Sequence, residues 1–175
     1  MSNWNKIFKP IVVLCAICIV ITGALAATNS VTAPIIEAAT IAAQNAARVE
    51  LLPDADNFTT VAVEVENVSD VSVADNGAGV VVTSTGKGYG GAVTVMTAFT
   101  PDGTIKQIKV TAQAETQGLG TKVTTDSSYW TRYEGLQAQP LTLGTDVDAL
   151  SGATISSRAL LNAVNAAIEA YNAIP

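Results

Sequence analysis

Seventeen consecutive uncharged residues, Ile11 to Ala27, stand near the start of the chain, and no other feature restricts its fold as strongly. An apolar run of this length is at the short end of what crosses a bilayer as a helix. Lys6 and Lys9 lie on its N-terminal flank together with Trp4 and Phe8, and basic residues there favour an N-terminus that stays in the cytoplasm. The same stretch also fits a cleaved signal peptide, since Ala24-Leu25-Ala26 offers a small-x-small cleavage site. Taken alone, the segment serves either role equally. Both roles deliver everything after residue 28 to the outside of the membrane. Cys15 and Cys18 fall within the run, where a C-x-x-C pair on an apolar helix is a packing feature before it is a redox or metal site.

The exported part contains no Cys, and the whole chain contains no His. Disulfides, thiolate metal clusters, Ser-His-Asp hydrolysis, His-ligated zinc and c-type haem are thereby excluded, leaving neither a catalytic dyad nor a metal site to assign. With Lys6 and Lys9 set aside, seven basic residues face fifteen acidic ones. A phosphate backbone is a poor ligand for such a balance, which argues against nucleic acid.

From residue 31 to 52 apolar residues recur at helical spacing (Ile35, Ile36, Ala39, Ala43, Ala46, Ala47, Leu51), with Pro34 placed for a first turn and Pro53 after the end. This predicts a second helix, a stalk or a packing element over 28–57, between an anchor at 11–27 and a domain at 58–175. At Val61 the period changes to two: Val61, Val63 and Val65 alternate with Ala62, Glu64 and Glu66, as in a half-buried strand. Further strands are predicted at Val68–Ala74, Val80–Thr85, Ala92–Phe99 and Ile105–Ala112. The last two are joined by the turn Thr100-Pro-Asp-Gly-Thr104. A short helix over Ser127–Leu136, an extended piece over Leu141–Asp148 and a long C-terminal helix complete an α+β domain with a mostly antiparallel sheet flanked by helices.

The C-terminal helix carries Leu160, Leu161, Val164, Ala167, Ile168 and Tyr171 on one side and Asn162, Asn165, Glu169 and Asn172 largely on the other. Thr154 therefore sits at or just before a helix start, where amides without internal partners make an anion site. A phosphate joined to Thr154 would be well held there. Gly152 and Ala153 keep the approach small, and Arg158 adds a cation one turn on. An ordinary cap by Ser151, Thr154 or Ser156 accounts for these residues more simply when nothing else is considered. Two glycine-rich loops lie upstream, Gly86 to Gly91 and Gly118 to Gly120 following Glu115. Each alone reads as a bend, with Glu115 in solvent, and neither is a P-loop.

Gly-Lys-Gly-Tyr-Gly-Gly at 86–91, Glu-Thr-Gln-Gly-Leu-Gly at 115–120 and Ser-Gly-Ala-Thr at 151–154, with Asp148 three residues before Ser151, occur in the order found in the FMN-binding domain family. The chain resembles this family along nearly its whole length. Within it, the chain is similar to the G subunits of Rnf electron-transport complexes, with the C subunits of sodium-translocating NADH:quinone oxidoreductases as longer relatives. The resemblance implies a single-pass anchor with the flavin domain outside the cell. It also implies FMN esterified through its phosphate to Thr154 by a separate flavin transferase that uses FAD as donor. Asp148, Ser151, Gly152 and Ala153 would form the recognition sequence, with Ser156 and Arg158 beside it. Glu115, Thr116, Gly118, Leu119 and Gly120, with Gly86, Gly88, Tyr89 and Gly90, would line the flavin ring. The family commonly has Pro where Gln117 stands, a change that loosens that loop. The implied function is an electron relay inside an ion-translocating ferredoxin:NAD oxidoreductase, partnered by the other membrane subunits and turning over nothing alone. A free-standing extracytoplasmic flavoprotein feeding an extracellular reductase, or a non-redox surface domain in which Thr154 is only a cap, are the alternatives.

Overall fold

The computed structural model describes residues 8–115 and 120–174. Trp4 and Lys6 lie outside these residues. The chain divides into two compact units, one up to Ala43 and one from Gln44 onward.

From Lys9 onward the first unit is helical and belongs to α1, which runs over Lys9–Leu51. Its apolar window has a mean hydropathy of 2.7, and none of that window is buried. By length and composition this helix could cross a bilayer. The residue pattern predicts two helices with Pro34 opening the second, whereas Pro34 lies inside α1. A proline removes one amide donor from a helix. Here Thr28, Ser30 and Thr32 each donate a hydroxyl to a carbonyl one turn back, at 2.9, 2.8 and 2.8 Å. Those carbonyls belong to Ala24, Ala27 and Thr28, and α1 continues through Pro34.

The second unit is built on a five-stranded antiparallel meander in chain order. Its strands are β1 Phe58–Thr60, β2 Val68–Ala74, β3 Val80–Lys87, β4 Ala92–Phe99 and β5 Ile105–Gln113. Three short helical turns follow, α2 Thr121–Thr125, α3 Ser127–Trp130 and a 3-10 turn Thr131–Tyr133, and then α4 Thr154–Asn172. The strand predicted at Val61–Val65 is corrected by the structure. The valines are half-buried and their neighbours exposed, as the alternation requires, but only the Val61 amide bonds across, to the Val71 carbonyl at 2.8 Å. The chain turns back at Asn67, whose φ is 64°, and the edge strand is the preceding Phe58–Thr60, which pairs with Ser72–Ala74 of β2. Leu141–Asp148 is likewise no strand. It folds over a tight turn in which the Asp146 carboxylate accepts from the Thr142 amide at 2.7 Å.

Both faces of the sheet are covered. On one face the C-terminal end of α1 and the residue after it bring Ala47, Leu51 and Leu52 against Val81, Met96 and Ala98. Arg48 adds an ion pair to Asp70 at 3.0 Å. The larger core lies on the other face, where α4 sets Leu160, Val164, Ala167 and Ile168 against Val82, Val95, Phe99 and Ile108. The approach of α4 to β3 is very close. A Cβ on Gly86 would stand 1.9 Å from the Ala159 carbonyl oxygen, and the buried Ser84 hydroxyl donates to the Ala163 carbonyl at 2.7 Å. Leu160 is fully buried, so Leu160→Ala is expected to cost about 2–5 kcal/mol. In urea unfolding this appears as a lower midpoint at unchanged slope.

Candidate functional site

The close packing of α4 on β3 carries the first turn of the helix to the end of the strand where the Gly88–Gly91 turn begins. There a cleft of about 400 Å³ opens. Thr154 and Ser156 of α4 line it, together with Gly152 and Ala153 just before the helix. Glu115 and Gly120 contribute the loop after β5, and Tyr89 contributes the glycine turn. Three motifs far apart in the sequence thus meet in one place. Gly86, Gly88 and Gly90 line a second hollow of about 410 Å³, and Tyr89 lines both. Thr116, Gly118 and Leu119 lie outside the described residues.

Thr154 is the first residue of α4 and is solvent-exposed. The N-cap is Ala153, and no side chain caps the helix. The simpler reading, in which Ser151, Thr154 or Ser156 is a cap, therefore does not hold in the structure. The loop before the helix is nonetheless fixed. Gly152 has φ 80°, the left-handed region that a residue with a Cβ adopts only under strain. The Ala153 amide donates to the Leu150 carbonyl at 2.9 Å, and the fully buried Ser157 hydroxyl accepts from the Leu150 amide at 3.1 Å. Asp148 and Ser151 are exposed and do not line the cleft. What holds Asp148 is its carbonyl, which accepts from the Tyr129 hydroxyl at 2.9 Å and from Arg132 at 3.4 Å. The Arg132 guanidinium lies 4.9 Å from the centroid of the Tyr129 ring. Arg158 is exposed one turn into α4 and does not line the cleft either.

Tyr129 is held in turn by α3, whose N-cap Asp126 accepts from the Ser128 amide at 2.9 Å and its hydroxyl at 2.6 Å. The Ser128 hydroxyl, then the Ser128 amide, keep the Asp126 carboxyl below its ordinary value. The stability this lends is present above the unfolded value and is lost as pH falls through the lower folded one.

Glu115, a solvent carboxylate when its loop is read alone and a residue of the ring lining by resemblance, is 8% exposed. One of its carboxylate oxygens accepts from the Ser156 hydroxyl at 2.6 Å and the other from the Gly90 amide at 3.3 Å. The nearby glycines make room for that carboxylate. A Cβ on Gly88 would stand 1.8 Å from one oxygen, and a Cβ on Gly120 would stand 2.3 Å from the other. The residue pattern gives no sign of Ile155, 55% exposed on the cleft, nor of Ser157, Tyr129 and Arg132, which shape the loop. A hydroxyl two residues into a predicted apolar helix face is the one available hint, at Ser156 and Ser157.

An uncapped helix start with an exposed hydroxyl, a buried carboxylate and a glycine turn meet at this cleft, an arrangement that fits a cofactor-holding domain. Residues 88–169 match the FMN-binding domain model, and residues 1–51 match the RnfG N-terminal region. The chain is 33% identical to the G subunit of the Na(+)-translocating ferredoxin:NAD(+) oxidoreductase complex of Acetobacterium woodii, over 97% of this chain and 93% of the relative. It is 31% identical to the G subunit of the proton-translocating ferredoxin:NAD(+) oxidoreductase complex of Clostridium ljungdahlii, over 96% and 93%. A solved structure, Shewanella oneidensis NqrC, is 32% identical with a TM-score of 0.47, over 55% of this chain and 54% of that one. The chain belongs to the family of Rnf complex G subunits.

The glycines separate two kinds of constraint. Gly86→Ala drives a Cβ into helix backbone and is expected to cost about 1–3 kcal/mol or more. Gly88→Ala would bring a Cβ onto a Glu115 carboxylate oxygen and within 2.9 Å of the Gly91 carbonyl oxygen, so it is expected to expel Glu115 from its hydrogen bonds and to lower the melting temperature less than Gly86→Ala, whose clash is with helix backbone.

Proposed function

We propose that the domain carries FMN as a phosphoester on Thr154 and works as an electron relay within a membrane-bound, ion-translocating ferredoxin:NAD oxidoreductase complex. The observation that carries this reading is the meeting of Thr154, Glu115 and Tyr89 on one cleft, with the Thr154 hydroxyl exposed at an uncapped helix start. Thr154 would receive the flavin phosphate from FAD on a flavin transferase, its oxygen bonding to phosphorus as AMP leaves. The free amides of the first turn of α4 would hold that phosphate, and exposed Arg158 adds a cation one turn along. The recognition sequence is fixed from below by Ser157, Tyr129 and Arg132, so the exposed side chains of Asp148 and Ser151 remain for the transferase to read. Glu115, Gly120, Gly88, Tyr89 and Gly90 bound the space left for the ring. Bound flavin supplies the one- and two-electron chemistry that no side chain here provides. Covalent attachment keeps it in place outside the cell.

Intact mass of membrane-derived protein is expected to show an FMN adduct that Thr154→Ala abolishes. An unmodified wild type from cells with the transferase and export system would sink the proposal. Asp148→Ala should slow flavinylation at an unchanged melting temperature, because only its backbone serves the fold. The adduct should itself stabilise the domain by about 0.5–2 kcal/mol, as a cap does; a flavinylated sample melting no higher than Thr154→Ala would contradict this role.

In this reading the exposed apolar part of α1 serves as a single-pass anchor, with Lys6 and Lys9 favouring a cytoplasmic N-terminus. Alkaline phosphatase fused after residue 175 should be active, and the same enzyme fused before residue 1 inactive. The reverse pattern would overturn the orientation.

A further inference from the structure

Glu115 is the one acidic residue lining the cleft, and no Lys or Arg lines it among the described residues. Its carboxylate is buried, and among the described residues its oxygens meet two donors, the Ser156 hydroxyl at 2.6 Å and the Gly90 amide at 3.3 Å. A carboxylate has about four acceptor positions, and the described donors fill two of them. Among the described residues no ion pair reaches it, although three other acidic side chains of this unit, Glu50, Asp54 and Asp70, are each paired with a Lys or Arg. Gly88 and Gly120 both yield space to its oxygens, and Gln113 fixes its backbone by accepting from the Glu115 amide at 2.6 Å. The fold therefore goes to some length to hold one acidic group, without a counter-cation among the described residues, in the wall of a half-dry cleft.

We propose that the Glu115 carboxylate sets the redox potential of the group held in this cleft, making it harder to reduce than it would be against a neutral wall. The proposal rests on the reading of the cleft as a flavin site. Each electron the flavin accepts adds one negative charge to it unless a proton from solvent accompanies the electron. A fixed carboxylate nearby raises the energy of that added charge, more so where water is partly excluded. Charge placed beside the ring is one of the means by which a protein tunes a flavin. Ser156 moderates the effect, because its hydroxyl hydrogen draws charge from the nearer oxygen.

The test is spectroelectrochemical titration of the full-length chain in detergent, flavinylated in cells, as wild type, Glu115→Gln and Ser156→Ala. Glu115→Gln removes the charge at nearly constant shape and is expected to shift the midpoint potential upward. Ser156→Ala leaves the carboxylate with one donor fewer and is expected to shift it downward. A merely structural role for the pair would move both variants in one direction, and that result, or no shift in either, overturns the proposal. Glu134→Gln neutralises an exposed carboxylate elsewhere and should leave the potential unchanged. If Glu115→Gln fails to take up flavin, Ser156→Ala decides alone, a downward shift supporting the proposal and any other result defeating it. A wild type whose intact mass shows no flavin overturns the flavin reading itself, and this proposal with it; flavin present with unshifted potentials overturns only the role of Glu115.

Discussion

Backbone meets backbone where α4 crosses β3, and the geometry of the site descends from that contact. Gly86 has no Cβ because the Ala159 carbonyl occupies its place, and Ser84 ties the same strand to the Ala163 carbonyl one turn further along the helix. A helix pressed this tightly against a strand has little freedom to slide or rotate. Its first turn is therefore fixed relative to the end of β3 and the glycine turn that follows. Thr154 and Ser156 then face Glu115 and Tyr89 without any direct link from Thr154 itself. The positions that matter for chemistry are set by an apolar interface several residues away.

Much of this fold is legible from residue pattern, and the failures share a cause. The bounds of Val68–Ala74 and Ala92–Phe99 follow from alternation, which reports which face of a strand is buried, and both strands have two neighbours to pair with. Val61–Val65 alternates just as well and is half-buried in the same rhythm, yet the ladder with β2 belongs to the preceding Phe58–Thr60 and goes on no further than the Val61 amide bond to Val71. Periodicity reports faces and carries no information about partners. In α1, the proline rule predicts a helix start at Pro34, whereas the helix runs through it. A single proline removes one amide donor, and a helix of this length has many other bonds to carry it.

The site is legible in the same uneven way. Thr154 can be placed at a helix start because the stripe beginning at Leu160 is local and strong, and the structure puts it there. Glu115 cannot be recognised as buried from the chain alone, since its nearest donor is Ser156, forty-one positions along. The same holds for the glycines. Within the sequence Gly86, Gly88 and Gly120 are interchangeable punctuation, whereas in the fold one admits helix backbone and two admit a carboxylate. Which atom fills the space beside a glycine is a tertiary property.

The meander and α4 are also ordered in time. Every strand, from Phe58 to Gln113, precedes α4 in the sequence, and the chain is made from its N-terminus. Neighbouring strands can pair as they appear, because each contacts the one just before it. The face that will receive Leu160, Val164 and Ile168 stays bare until the last element arrives. The cleft belongs to that final step, since four of its lining residues precede or begin α4 at Gly152 to Ile155. A half-made chain thus presents a sheet with one wet apolar face and no place for a cofactor. Docking of the helix closes the core and forms the cleft in a single event, so only chains that have finished folding present Thr154 on it.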